Sequence, residues 1–294
     1  MSKINILGAS CIDILTAYAD KELFFSGKYK CEQIRTAFGG DGLNEAIVLA
    51  ALMEDVSLST LLGDDPSGHM IHDFLKQNKV NTDNVIFEKD IDTYISLVFI
   101  EKDGQRNFVG SQNGSLRLYD LKHVKIDDDC KIVSFASLFI SKMFDDAKLV
   151  SLFSSIKEKG ITLCVDCSTP KNNEYALDLK CLSYIDYFFC NESEAKALCR
   201  KDELFECEQI LKEAGVKHPV IKAGEKGCLY NGSYYAPKQK VHCIDTTGAG
   251  DSFVAGFIHG LSSQMDIDGC IEMANKCGSR AVEYIGANEW VFHL

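Results

Sequence analysis

The stretch Asp245-Thr246-Thr247-Gly248-Ala249-Gly250-Asp251-Ser252-Phe253 decides how this chain is read. It follows a short apolar run, Val241 to Ile244, that reads as a strand, and it opens an amphipathic helical pattern from Ser252 to Leu261. A Gly-Ala-Gly turn entering a helix leaves backbone N–H groups unpaired at the positive end of the helix dipole, and such a start holds anions. Asp251 falls in the first helical turn, beside that anion. A carboxylate there repels phosphate and adds nothing to binding. It makes sense as a base that takes a proton from a hydroxyl attacking the phosphate. The plainer alternative is an aspartate favouring a helix N-terminus, with glycines serving only the turn. The lysine of a G-x-x-x-x-G-K-[ST] loop and the third glycine of G-x-G-x-x-G are both missing, so backbone and dipole would hold the anion.

The 294 residues are 46% hydrophobic and 25% charged, an ordinary globular balance. A net charge of −12 disfavours nucleic-acid backbones and anionic membranes as partners. Met1-Ser2-Lys3 leads at once into strand-like Ile4–Leu7, with no secretory signal read there. No apolar run approaches the roughly 18–20 residues of a membrane span, and a cytoplasmic location is expected. Thirteen cysteines, an odd number, suggest free thiols in a reducing compartment. Cys164 and Cys167 form the one C-x-x-C, without the second pair or nearby histidine of a zinc site, and read as small buried hydrophobes. His69 and His72 read as surface residues of a helix.

Strand and helix patterns alternate along the chain. Strands are expected at Ile4–Leu7, Ser57–Leu62, Ile132–Phe135, Thr162–Val165, Tyr187–Cys190 and Val220–Lys222, with a hairpin at Gly227–Ala236. Helices are expected at Gly42–Met53, from Pro66, at Ala147–Lys159, Asp251–Leu261 and Ile267–Tyr284. This is an α/β pattern: a mostly parallel sheet with helices on both faces, in a single domain over 1–294. Two segments, about 12–38 and 91–112, break the alternation, the second around a hairpin turn at Asp103-Gly104. They read as a small accessory sheet, a lid that excludes water, or as ordinary loops and an edge hairpin.

Phe38-Gly39-Gly40-Asp41-Gly42-Leu43-Asn44 is a second glycine-rich turn entering a helix. Paired glycines let a ligand approach the backbone, and Asn44 and Asp13 suit vicinal hydroxyls. Asn191 either caps a helix in a box with Glu194, or the pair orders water around magnesium. Lys222-Ala223-Gly224-Glu225-Lys226-Gly227 is either a tight turn or a loop against a nucleotide, with Lys222 offsetting phosphate charge.

Taken in order, these pieces resemble the ribokinase-like (PfkB) carbohydrate kinase family over nearly the whole chain. Gly39–Ala46 is similar to its first signature and Gly63-Asp64-Asp65-Pro66-Ser67-Gly68 to its G-x-D-x-x-G segment. Asn191-Glu192-Ser193-Glu194 is similar to its N-x-x-E motif, Lys222–Gly227 to its nucleotide loop, and Asp245–Phe253 to its specific second signature. The resemblance implies a Rossmann-like three-layer core with a small β lid, ATP and magnesium, and transfer of the γ-phosphate to a sugar-type hydroxyl. Asp251 would be the base, and Gly248, Ala249 and Gly250 the anion hole. Asp13, Gly39, Gly40 and Asn44 would anchor substrate, with Arg106 reaching it from the lid or lying on the surface. Asn191 and Glu194 would hold magnesium through water. Lys222, Gly224, Gly227 and Thr246 would line the nucleotide.

The sequence departs from the family at several points. Asp41 stands where ribokinases carry a lysine. Asp166-Cys167-Ser168-Thr169-Pro170-Lys171 lacks the arginine of the family's sugar-acid kinases, which points away from 2-keto-3-deoxygluconate. Gly286-Ala287-Asn288-Glu289 partly resembles a monovalent-cation segment without its following serine, leaving potassium open. The leading expectation is a kinase for a small neutral sugar, forming a homodimer through the lid. A nucleoside kinase, with Phe24, Phe25 or Phe108 clamping a base, is the runner-up, and a silent sugar or nucleotide sensor the third reading.

Overall fold

The computed structural model describes residues 3–17, 25, 27, 29–101, 106–168 and 179–294. The chain runs through β1 (Lys3–Leu7), β2 (Cys11–Ala17) and β3 (Gln33–Gly39) into α1 (Asp41–Ala51). Then come β4 (Val56–Gly63), α2 (Pro66–Gln77), β5 (Val85–Glu88), β6 (Ile95–Ile100), β7 (Arg106–Gly110) and the short α3 (Ser115–Leu118). β8 (Cys130–Leu138), α4 (Asp146–Glu158), β9 (Thr162–Cys167), β10 (Tyr187–Asn191), α5 (Glu192–Cys199) and α6 (Leu204–Glu213) follow. The chain closes with β11 (His218–Lys222), β12 (Cys228–Tyr230), β13 (Ser233–Tyr235), α7 (Ala249–Ser262) and α8 (Ile267–Ala281).

Nine strands form the central sheet in the order β13-β12-β11-β10-β9-β8-β1-β4-β5. Its strands are parallel from β5 to β11, and the last two pair antiparallel as the expected hairpin. Every residue of β4 is buried, as a strand covered on both faces must be. From β1 the chain winds one way to β4 and β5, then the other way from β8 to β11. That reversal places a ligand crevice at the carboxyl ends of these strands. Four strands from the two irregular segments form a separate sheet, β3-β2-β6-β7. The proposed turn at Asp103-Gly104, Phe24 and residues 169–178 lie outside the described residues, as does the side chain of Arg106.

Helix starts follow local chemistry. Asp65 caps α2 by accepting from Gly68 N–H at 2.7 Å, with Pro66 at the first helical position. Val241–Ile244, expected as a strand, is not one. Ile244 is 55% exposed, and its N–H bonds Val282 O at 2.7 Å, so this apolar run is a connector into α7. All thirteen cysteines are free thiols and eleven are buried; burial pushes the Cys164 and Cys167 thiols well up.

Gly42 in the first turn of α1 crosses Gly8 just past β1, where a Cβ would sit 2.8 Å from the Gly8 backbone. That approach carries the start of α1 into the crevice. Gly42→Ala is expected to cost about 1–3 kcal/mol through overpacking. Urea unfolding reads it, and an unchanged midpoint would contradict the close crossing.

Candidate active site

The start of α7 is built around Gly248, whose φ of +71° favours glycine, and a Cβ there would collide with the Ala287 carbonyl. The first intrahelical bond runs from Ser252 N–H to Gly248 O at 2.8 Å, and Ala249 N–H turns to Thr246 O at 3.3 Å. The amides of Gly250 and Asp251 therefore stand outside the helical ladder, at its positive end. Asp251 Oδ2 accepts from Asn44 Nδ2 at 2.6 Å. Burial, and then the charge of Asp41, pushes its carboxyl well above the usual range, against the Asn44 bond.

Next to it lies a cavity of about 230 Å³ lined by Asp41, Asp166, Cys167, Ser168, Asn191, Glu194, Lys222, Gly250 and Asp251. Asp166, Asn191 and Lys222 come from the carboxyl ends of β9, β10 and β11. Lys222 Nζ donates to both oxygens of Asp166, at 2.7 and 2.8 Å. Burial pushes Asp166 up to about 7 against the pull of Lys222. Lys222 itself is held above the lysine range, because the charges of Asp166 and Glu194 outweigh its own burial. The two short N–H···O bonds favour the charged ammonium facing the carboxylate. Burial also raises Asp41 and Glu194, with Lys222 opposing in both cases.

Glu45 completes the acidic group from below. It is fully buried, and its Oε2 accepts from Ser134 Oγ on β8 at 2.6 Å. Its Oε1 has no hydrogen-bond partner among the described residues. Burial, then the charge of Asp166, pushes it well above the usual range, so it holds a proton where an exposed glutamate would not.

The other expected site residues divide. Asn44 bridges Asp251 and Asn288, with Oδ1 accepting from Asn288 Nδ2 at 3.1 Å. Asp13 lies on β2 against Gly39, and Gly40 is the N-cap of α1; none of the three lines the cavity. Gly224 and Gly227 bound the turn from β11 to β12, where Ala223 N–H bonds Gly227 O at 2.7 Å. Thr246 is exposed beside the start of α7. The backbone of Arg106 pairs with Ile100 in the small sheet. Asn191 and Glu194 form the expected capping box: Glu194 N–H bonds Asn191 Oδ1 at 2.9 Å, and Asn191 N–H bonds Glu194 Oε2 at 2.8 Å. Both also face the cavity, so cap and cavity wall are the same residues.

No three histidine, cysteine or carboxylate side chains form a ready metal cage among the described residues. The oxygen-rich wall of Asp166, Asn191 and Glu194 suits magnesium, which keeps several waters and needs few direct ligands.

Sequence reading missed Asp166 as the partner of Lys222, and Ser137 and Ser168 as the donors that hold Asp41 Oδ2 at 2.6 and 3.4 Å. It named Asn288 only within the cation-type segment and missed its bond to Asn44. Only the position of Asp166 at a strand end offered a signal.

An open α/β sheet with an anion-type helix start and a carboxylate beside it defines a class of enzyme that handles phosphate at the sheet's carboxyl edge. The model described as pfkB family carbohydrate kinase matches residues 1–291, and the chain belongs to that family. It is thus a phosphotransferase with an alcohol group as acceptor. A probable fructokinase-5 of Arabidopsis thaliana is 29% identical over 85% of this chain and 83% of its own. A ribokinase of Staphylococcus aureus is 26% identical over 97% and 95%. Among solved structures, Arabidopsis thaliana ribokinase complexed with ribose and ATP superposes with a TM-score of 0.79 at 22% identity, over 98% and 95% of the two chains. A fructokinase double mutant from Vibrio cholerae, bound to fructose, ADP and potassium, gives 0.80 at 20% identity, over 99% and 95%. These likenesses show the ribokinase-like fold.

An unfolded Glu45 loses its proton near pH 4.3, about its model-peptide value. The folded chain keeps it to higher pH, so as pH rises past that value the unfolded state gains by releasing the proton and the folded state does not. Wild-type stability is therefore expected to fall relative to Glu45→Gln between about pH 5 and pH 8. Parallel urea midpoints across that window would contradict a buried, protonated Glu45.

Proposed function

We propose that the protein transfers the γ-phosphate of ATP to a hydroxyl of a small neutral sugar, with Asp251 as the base. The observation that carries this reading is the placement of Asp251 beside the unused amides at the start of α7, open to the cavity. A substrate hydroxyl bound there gives its proton to Asp251 as its oxygen attacks phosphorus. The Gly248-Ala249-Gly250 turn then faces the charge developing on the transferred phosphoryl group. The raised proton affinity of Asp251 suits an acceptor that gains its proton during the transfer. Lys222 offsets charge on the acidic wall. Magnesium, held through water by Asn191 and Glu194, would neutralise phosphate charge when the nucleotide binds.

Asp13, Gly39, Gly40 and Asn44 are proposed to hold the sugar, with Arg106 on the small sheet above. Gly224, Gly227 and Thr246 are proposed to line the nucleotide. The small sheet acts as a lid that keeps water from the phosphoryl group. A potassium site is proposed where Gly286 N–H meets Asp245 Oδ2 at 2.9 Å, joining the turn before α7 to the C-terminal loop. The named activities of the relatives, fructokinase and ribokinase, support a neutral sugar. A nucleoside acceptor is the second reading, supported by the aminoimidazole riboside kinase and adenosine kinase among the structural neighbours.

Release of ADP from magnesium-ATP, with and without potassium, across neutral sugars, sugar acids and nucleosides tests this directly. Turnover on a neutral sugar is expected, raised by potassium and lowered about 10²–10⁴-fold in Asp251→Asn. Turnover confined to nucleosides would move the reading to the second acceptor, and an active Asp251→Asn would remove the base.

The small sheet exposes Ile34 (66%), Phe108 (66%) and Val109 (50%). Apolar side chains on strands at both edges of an open sheet favour pairing with a second copy. A homodimer through the lid is expected in light scattering, shifted toward monomer by charged residues at Ile34 and Phe108. A monomeric wild type would contradict it.

A further inference from the structure

The loop Gly286–Asn288 meets the site at two ends. Gly286 N–H donates to Asp245 Oδ2, and buried Asn288 reaches the other way. Asn288 Nδ2 donates to Phe38 O on β3 at 3.2 Å and to Asn44 Oδ1 at 3.1 Å. Asn44 Nδ2 in turn donates to Asp251 Oδ2 at 2.6 Å.

A side-chain amide can turn over, exchanging its donor and acceptor ends. Asp251 alone does not fix the direction of Asn44. An ionised carboxylate takes only the N–H end, whereas a protonated one can take either, donating its O–H to the amide oxygen or accepting the N–H at its carbonyl. The Asn288 donor breaks that symmetry. With its N–H on Asn44 Oδ1, only the arrangement with N–H toward Asp251 satisfies both neighbours. A fixed donor favours the ionised carboxylate, the form a base needs.

We propose that Asn288 is a positioning residue of the phosphoryl transfer, holding the Asn44 amide so that it donates to Asp251 and tying that orientation to the small sheet through the Phe38 carbonyl. The inference rests on the reading of Asp251 as the base. The charged groups that act on Asp251 are Asp41 of α1, Asp166 of β9 and Lys222 of β11, with Glu45 of α1 nearby. None belongs to the Gly286–Asn288 loop, so changing Asn288 leaves them in place.

The test uses full-length Asn288→Ala and Asn288→Asp. One readout is the pH profile of kcat/KM. The other is the titration of the Asp251 carboxyl by ¹³C NMR without substrate, its resonance identified by its loss in Asp251→Asn. Asn288→Ala is expected to move both the acid limb and the NMR midpoint up by roughly one pH unit, the scale of one hydrogen bond to a charged group. Asn288→Asp, although closer in shape, is expected to be the worse variant, because its carboxylate draws the Asn44 N–H away from Asp251. A purely structural role predicts the reverse order. An unmoved midpoint in Asn288→Ala, or an Asn288→Asp milder than Asn288→Ala, overturns the inference. Full turnover in Asp251→Asn would instead sink the base, and the NMR midpoint would still decide what Asn288 does.

Discussion

Five carboxyl groups gathered out of water around one ammonium are the constraint on which this site depends. Asp41, Glu45, Asp166, Glu194 and Asp251 all feel burial first, and all have their protons held more tightly for it. Lys222 is the cation that opposes this for Asp41, Asp166, Glu194 and Asp251. Packing like charges together costs folding free energy, and proteins keep such arrangements where chemistry uses them. The fold accommodates the group by drawing its members from four segments: Asp41 and Glu45 from α1, Asp166 from the end of β9, Glu194 from the first turn of α5 and Asp251 from the first turn of α7. Neutral donors from Ser134, Ser137, Ser168 and Asn44 reach carboxylate oxygens that Lys222 does not, and Glu45 Oε1 is left without a partner among the described residues.

On the reading proposed for Asp251, that arrangement supplies a base without a histidine. A carboxylate in water is a poor proton acceptor at neutral pH, because its affinity is too low. Burial beside Asp41 corrects this for Asp251, while Asn44 keeps the ionised form within reach. On the same proposed reading, the helix start supplies the complementary half: fixed N–H dipoles that need no reorganisation when phosphoryl charge develops. The two halves are adjacent in sequence because a single turn, Gly248 to Asp251, makes both.

What the sequence disclosed was local. The strand read at Ser57–Leu62, the helix start at Pro66 and the Asn191–Glu194 box each carry their cause within a few residues, and each formed, the strand one residue longer at either end. The small sheet was legible as two β-rich interruptions, because alternation failed there. Val241–Ile244 misled because a short apolar run has no period to distinguish a strand from a connector. The pairings were not legible at all. Asp166 with Lys222, Asp41 with Ser137, and Asn288 with Asn44 join residues 56, 96 and 244 positions apart. Only the crossing order of the sheet brings them together, so motif reading singled out Asp251 and Asn44 as candidates without the network that holds them.

The most direct measurement is a crystal structure of the ternary complex with a neutral sugar and a non-hydrolysable ATP analogue. The account predicts the acceptor hydroxyl within hydrogen-bond distance of an Asp251 carboxylate oxygen, with the γ-phosphate over the Gly248–Gly250 turn and the free amides of Gly250 and Asp251. An acceptor bound away from Asp251, or a phosphate held elsewhere than at the start of α7, would contradict it.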